Sequence, residues 1–290
     1  MTVRSKIGKR ALLTAVAAAL FISAIFSSCK SQDKDMPAEK EQKEIVLPVI
    51  MYHSILKDEE SWNDYVLSPD ALRNDIEYLK KHGYQFVLTA DVIEYVKNGR
   101  PLPQKPVILT FDDGCYNFLT YVEPILRESG AKAVLSVVGS YAEKENGEPQ
   151  SSSYSYLNYS QIEQLSKCGY VEIASHSYDM HELGMRRGAL MKEGETYEEY
   201  RSAFVSDLLL SIDGLENNCG ITPQVYTYPY GLVCEESLEL VKACRFSASY
   251  GVEEKPNYIT RSEECLYCMN RYNRPSGIST EEFMSKALSR

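Results

Sequence analysis

Histidine and tryptophan are scarce in this chain: four His and one Trp in 290 residues. With so few imidazoles, any two that fall close together carry information. Long apolar runs are missing as well. The longest apolar run without charge, Ala11 to Phe26, has 16 residues, short of the about 20 that a membrane-spanning helix needs. Basic side chains are outnumbered, 31 Lys and Arg against 41 Asp and Glu, for a formal net charge of −10. Such a surface repels phosphate, which argues against a nucleic-acid partner and disfavours strongly anionic polymers. Cys265-x-x-Cys268 has no second pair to complete a zinc ribbon. Leaving Cys29 aside, seven cysteines remain, an odd number that excludes a fully paired disulfide framework and suits buried thiols. No internal repeat is visible.

Two short stretches carry the chemistry. Pro106-Val107-Ile108-Leu109 reads as a buried strand, and it runs into Thr110-Phe111-Asp112-Asp113-Gly114. Neighbouring side chains on a strand point opposite ways, but a turn at Gly114 can bring both carboxylates into one pocket. Held close, they repel unless a cation or a shared proton intervenes. Asp also commonly serves as a turn or helix-cap residue, so the pair alone leaves both readings open. The second stretch is Ser175-His176-Ser177-Tyr178-Asp179-Met180-His181, after the strand-like Val171-Glu172-Ile173-Ala174. Two imidazoles with a carboxylate form a common divalent-metal set. Their spacing is five, not the four that stacks side chains on one helix face, so a loop or distorted turn must bring them together.

With Tyr226-Thr227-Tyr228-Pro229-Tyr230-Gly231 and Leu47-Pro48-Val49-Ile50-Met51-Tyr52-His53-Ser54, these motifs resemble the polysaccharide deacetylases of carbohydrate esterase family 4, the NodB homology domain. Within it the chain is most similar to the poly-β-1,6-N-acetylglucosamine N-deacetylase branch. The likeness covers roughly residues 45 to 275. It implies an α/β fold, an irregular (β/α)7 barrel forming a single catalytic domain. It implies a metal-dependent hydrolase that removes acetyl groups from N-acetylated sugars of an extracellular or cell-wall polysaccharide. By resemblance, Asp113, His176 and His181 hold one divalent ion, zinc first and cobalt, nickel or iron as alternatives. Asp112 is the general base, and the backbone N–H of Tyr230 helps bind the oxyanion. Two departures stand out. Thr227 occupies the place of an Arg that orients the base in many members, for which Arg271 is a possible substitute or else a structural ion-pair residue. Many members use a late His as general acid, and this chain has none after His181. His82 precedes Gly83 at a helix end, where a cation is favoured without any chemistry. That leaves His53, at the end of the first barrel strand, as the acid. The competing readings are an inactive glycan-binding lipoprotein on the same scaffold, and an O-acetyl polysaccharide esterase.

Residues 1–29 read as a targeting segment. Arg4, Lys6, Lys9 and Arg10 precede the apolar run, and Phe26-Ser27-Ser28-Cys29 is similar to a lipobox with Phe in place of the usual Leu. The expectation is a lipid anchor at Cys29 that holds the protein to the membrane outside the cytoplasm, the alternatives being an uncleaved membrane anchor or an ordinary signal peptide with an incidental Cys. Residues 30–44, almost free of apolar side chains, form a flexible linker. The domain then runs over 45–290, and the protein is expected to act as a monomer.

Strand and helix signals alternate from there on, which predicts a parallel sheet with outer helices. Ser68-Pro69 opens a helix and Thr89 caps the next. Tyr116 to Ser129 is helical with a kink at Pro124, and Tyr197 to Asn217 is a long amphipathic helix. Leu266 to Arg271 is expected to be the last strand. Tyr154, Tyr156 and Tyr159, on a polar loop, are candidates for stacking on sugar rings at a groove rim. Arg186, Arg187 and Lys192 lie on a loop beside the His pair.

Overall fold

The computed structural model describes residues 44–145 and 150–289. The targeting segment, Cys29 and the linker up to residue 43 lie outside the described residues.

β1 (Ile45–Leu47), β2 (Val49–Tyr52), β3 (Ser54–Ile55) and β4 (Val66–Leu67) open the domain. Helix α1 (Pro69–Lys81) starts as its sequence predicts: Ser68 Oγ accepts the N–H of Ala71 at 3.1 Å, with Pro69 at the first helical position. Its buried stripe is Leu72, Asp75, Ile76 and Leu79. The buried charge there is paired, because Arg274 Nε donates to Asp75 Oδ2 at 2.8 Å. β5 (Gln85–Phe86) leads to α2 (Thr89–Asn98). Thr89 is not the cap that was expected. It lies inside the helix and its hydroxyl is hydrogen-bonded to Tyr250 Oη at 2.7 Å, while Asp91 caps the helix by accepting the N–H of Leu88 at 3.0 Å.

β6 (Pro106–Phe111) is buried at every position. After it, the helical segment divides. Residues Phe118–Val122 wind as a wide i→i+5 turn, closed by the Glu123 N–H on the Phe118 carbonyl. Helix α3 (Glu123–Ser129) then follows. The wide turn suits Pro124, whose ring lacks an N–H and would crowd the carbonyl four residues back. The remaining elements are β7 (Ala133–Val137), α4 (Gly139–Lys144), α5 (Tyr159–Ser166), β8 (Val171–Ser175), α6 (Tyr197–Cys219), β9 (Val225–Thr227), α7 (Glu235–Ala243), β10 (Ala248–Tyr250), β11 (Asn257–Ile259), β12 (Tyr272–Asn273) and α8 (Thr280–Ala287). Thr196 and Glu199 form a reciprocal capping box at the start of α6.

Seven strands are joined in the order β10-β9-β8-β7-β6-β2-β12, every pair parallel. The curled sheet closes irregularly. Met269 N–H donates to Ser249 O at 2.8 Å and Gly251 N–H to Met269 O at 3.0 Å, tying the segment before β12 to β10. The expected strand over Leu266 to Arg271 is therefore reduced to one bridge at Met269, with β12 starting at Tyr272. Glu263–Leu266 is a 3₁₀ turn, Cys268 has φ +51°, and the Arg271 N–H turns out of the sheet to Glu253 O at 3.1 Å.

Alternation along the strands sorts the core into two layers. Val49, Ile108, Val134, Ala174, Val225 and Ala248 cluster on one face of the sheet, with Val92, Ile93 and Val96 of α2. Val107, Leu109, Phe111, Leu135 and Ile173 pack on the other face with residues of α1, α3, α5 and α8. Being covered on both sides is why these strands read as continuous apolar runs. The seven cysteines among the described residues are all free thiols.

Candidate active site

The motif residues meet at the C-terminal ends of the parallel strands, the usual place for chemistry in such folds. His53 follows β2, Asp112 and Asp113 follow β6, His176 follows β8, and Tyr228 to Gly231 follow β9. All but Pro229 line one cavity of about 630 Å³, together with His181, Tyr65, Leu183, Val252, Glu254 and Arg271.

The backbone resolves how two adjacent carboxylates share it. Asp112 continues the strand, its N–H bonded to Tyr52 O at 3.1 Å. Asp113 then turns to φ +72°, which breaks the alternation and swings its side chain to the same side. Gly114, at φ +73°, is required next: a Cβ there would lie 3.2 Å from Val137 Cγ1. Ser177, beside His176, and Tyr230 also have positive φ, +73° and +56°. Among the described residues, three of the five non-glycine residues in this costly conformation thus sit at one site, as strain held in place by a functional constraint would.

Asp113, His176 and His181 present one carboxylate oxygen and two ring nitrogens that all lie within 4.8 Å of one another. Asp113 Oδ1 is 3.2 Å from His181 Nε2 and 3.6 Å from His176 Nε2. His176 Nδ1 lies 2.8 Å from the Thr227 carbonyl. A carbonyl only accepts, so Nδ1 carries the proton and Nε2 presents its lone pair to the cavity. Burial pushes the His176 pKa down, favouring that neutral form. For Asp113, burial pulls upward, but the hydrogen bond from His181 and the neighbouring imidazoles outweigh it and hold the carboxyl below its ordinary value. His181 Nδ1 is flanked by Tyr230 Oη at 3.3 Å and Tyr141 Oη at 3.4 Å.

Asp112 is 3% exposed. Burial alone would raise its pKa, yet Arg271 reverses that and keeps the carboxyl well below the usual range. Arg271 is wholly buried. Its Nη1 donates to Asp112 Oδ1 at 2.7 Å and to Thr110 Oγ1 at 3.3 Å, and its Nε to Gly251 O at 2.8 Å. The guanidinium therefore stands at the carboxylate for which Thr227 provides no partner. Thr227 Oγ1 instead bonds Ser136 Oγ at 2.8 Å. Asp112 Oδ2 remains directed to the cavity, 4.0 Å from both His53 Nε2 and His176 Nε2. His53 packs edge-on against Tyr65, ring centroids 4.9 Å apart.

Other expectations are redistributed. Tyr154 is exposed, Tyr156 packs on Tyr141 with centroids 4.4 Å apart, and Tyr159 Oη donates to Gly139 O at 3.4 Å. None of the three lines the cavity, whose aromatic walls are Tyr65, Tyr228 and Tyr230. Arg186 is buried in an ion pair with Glu195 at 2.5 Å and is not a free cation beside the His pair. The His82 ring is engaged at the end of α1, its Nδ1 2.7 Å from Tyr78 O. Sequence reading also passed over Asp207. It lies on the buried stripe of α6 with Tyr200, Phe204, Leu208, Ser211 and Leu215, and a charge on such a stripe is the signal that marks it. Both its oxygens accept backbone N–H groups between the two histidines, from Asp179 at 2.7 Å and Tyr178 at 3.0 Å.

A family model described as Polysaccharide deacetylase matches residues 99–249. Among characterised proteins, the chain is 28% identical over 226 residues to the poly-β-1,6-N-acetyl-D-glucosamine N-deacetylase of Escherichia coli K12, covering 70% of this chain but 33% of that protein. It is 24% identical over 236 residues to the enzyme of the same name from Staphylococcus aureus MRSA252, covering 77% of this chain and 78% of that one. The chain thus spans about a third of the length of the first relative and most of the second. A solved de-N-acetylase from Aggregatibacter actinomycetemcomitans superposes with a TM-score of 0.69 at 24% identity, over 82% of this chain and 99% of that one. IcaB from Ammonifex degensii gives 0.69 at 20% identity, over 86% and 99%. Both share the fold. The matched segment takes in more than half of the chain and contains Asp112, Asp113, His176 and His181, with His53 and Arg271 outside it, and on that ground the chain belongs to the polysaccharide deacetylase family.

Proposed function

We propose that this protein is a metal-dependent hydrolase that removes acetyl groups from N-acetylated sugars of an extracellular or cell-wall polysaccharide. The observation that carries the reading is the Asp113–His176–His181 cluster beside an ionised, Arg-held Asp112. Two imidazole nitrogens and one carboxylate, with the His176 tautomer held by Thr227 O, suit a divalent ion such as zinc, and leave room in the cavity for water and substrate. Cobalt, nickel or iron accept the same donors. When bound, the ion would make water more acidic and polarise the acetyl carbonyl.

The chain's own groups supply the rest. Arg271 occupies Asp112 Oδ1 and keeps the carboxylate charged, so Oδ2 is the atom that takes a proton from the attacking water. Tyr230, held at positive φ, offers its backbone N–H to the oxyanion. His53 Nε2, on the cavity wall 4.0 Å from Asp112 Oδ2, gives a proton to the departing amine. The names of the relatives make poly-β-1,6-N-acetylglucosamine the first polymer to test. The N-terminal basic and apolar run and Cys29 support a lipid-anchored location outside the cytoplasm.

The test is metal analysis of purified protein together with acetate release from poly-N-acetylglucosamine, peptidoglycan and chitin oligomers. We expect about one divalent ion per chain and release from at least one N-acetylated glycan that a chelator abolishes. Full activity in metal-free protein would end the reading. A metal-loaded protein inert on all three would favour a glycan-binding role.

A further inference from the structure

The spacing of five between His176 and His181 demands a loop of exact shape, and α6 supplies the mould. Asp207 and Ser211 lie four residues apart on the buried face of that helix. Ser211 Oγ meets Ser175 Oγ at 2.9 Å, just before the first histidine. Asp207, 6% exposed, takes the next two free N–H groups of the loop, Tyr178 on Oδ2 and Asp179 on Oδ1. The opposite side of the same peptides is held by the start of α4. Gly139 N–H donates to Ser177 O at 3.0 Å and Ser140 N–H to Tyr178 O at 2.7 Å. Gly139 permits this approach, since a Cβ there would stand 2.7 Å from the Tyr178 ring. Ser177 Oγ closes the turn by accepting the Met180 N–H at 3.1 Å.

We propose that Asp207 is a positioning residue of the metal site: it fixes the loop between His176 and His181 in the one shape that turns both Nε2 atoms toward Asp113. This rests on the reading of Asp113, His176 and His181 as metal ligands. The reasoning is geometric. A loop with these two amides unpaired in this part-buried setting would shift to satisfy them, and rotation about the Tyr178 and Asp179 peptides moves His181 relative to His176. A carboxylate accepts both amides at once, whereas an amide side chain offers one oxygen and turns an N–H against the other donor.

The experiment compares zinc affinity of the wild-type chain, Asp207→Asn and Leu215→Ala by competition with a chromophoric chelator. Leu215 is buried on the same helix but packs in the core away from the loop, so its truncation controls for general loosening of α6. Asp207→Asn should bind zinc about 10–100-fold more weakly, the range for loss of an outer partner of a metal ligand, and Leu215→Ala should bind as the wild type does. Equal affinity of Asp207→Asn and wild type, or equal weakening by Leu215→Ala, overturns the positioning role while leaving the metal site standing. Failure of the wild type to bind zinc overturns both. Should Asp207→Asn not fold, amide hydrogen exchange of wild-type protein decides the matter. Residues 177–181 should be as protected in metal-free protein as in the zinc form, and free exchange that zinc alone suppresses would show that the ion shapes the loop, not Asp207.

Discussion

Arg271→Met isolates the most consequential contact in the barrel. The guanidinium is wholly buried and 2.7 Å from a carboxylate that is 3% exposed. Methionine keeps much of the volume and removes the charge. Breaking a buried ion pair from one side costs about 3–5 kcal/mol, because the remaining charge stays desolvated. In a domain of this size roughly 2–4 °C accompanies each kcal/mol, so the melting temperature should fall by roughly 6–20 °C. The pH dependence has a definite sign. Asp112 is held below its ordinary 3.8, so the pair stabilises the fold fully above that value and less as the pH falls through the lower folded-state pKa. The gap between variant and wild type should be widest near neutrality and shrink below pH 4. Adding Asp112→Asn removes the orphaned charge, so Arg271→Met/Asp112→Asn should be more stable at pH 7 than Arg271→Met alone. Urea unfolding of the four proteins at pH 7 and pH 3.5 completes the cycle. The reasoning fails if Arg271→Met lies within about 0.5 kcal/mol of wild type at pH 7, or if the double variant is no more stable than the single.

Four further outcomes are expected. His181→Ala should lose bound metal and activity together, read by elemental analysis and acetate release; retained metal would remove His181 from the ligand set. His53→Ala should cut turnover of N-acetyl substrates by about 10²–10⁴-fold, as for a positioned acid, with metal content unchanged and a much smaller loss on an acetyl ester with a good leaving group; equal losses on both would refute the acid role. Glu172, whose Oε2 accepts the Ala90 N–H at 3.1 Å, is pushed by burial from 4.5 up to about 7. The folded state therefore loses stability as the pH rises from 4.5 through 7, and Glu172→Gln should be more stable than wild type above pH 7, by on the order of 3 kcal/mol, with no advantage below pH 4.5 in thermal melts. Cys29→Ala should leave the membrane fraction or accumulate as unprocessed precursor, judged by fractionation and mass; an anchored product cut at the same place would refute the lipobox.

Much of the architecture is written in short-range pattern. Ser68-Pro69 and the box Thr196–Glu199 start their helices because a cap is a contact between residues three apart. The fully apolar run at β6 reads as a buried strand because both its faces are covered. The Asp pair and the His pair are legible as chemistry because so few His exist in the chain and the motifs fall at strand ends. What the sequence could not decide depends on partners far along the chain. Arg271 reaches Asp112 across 159 positions, and only the closure of β12 beside β2 puts it there. Thr89 could have been a cap until Tyr250 claimed its hydroxyl. Tyr156 and Tyr159 face α4 instead of sugar because Tyr141 and Gly139 receive them. Asp113 points beside Asp112 only through a left-handed backbone that local propensity disfavours and the surrounding barrel enforces. The five-residue His spacing works for the same reason: a carboxylate 26 residues beyond His181, on the facing helix, holds the amides between them.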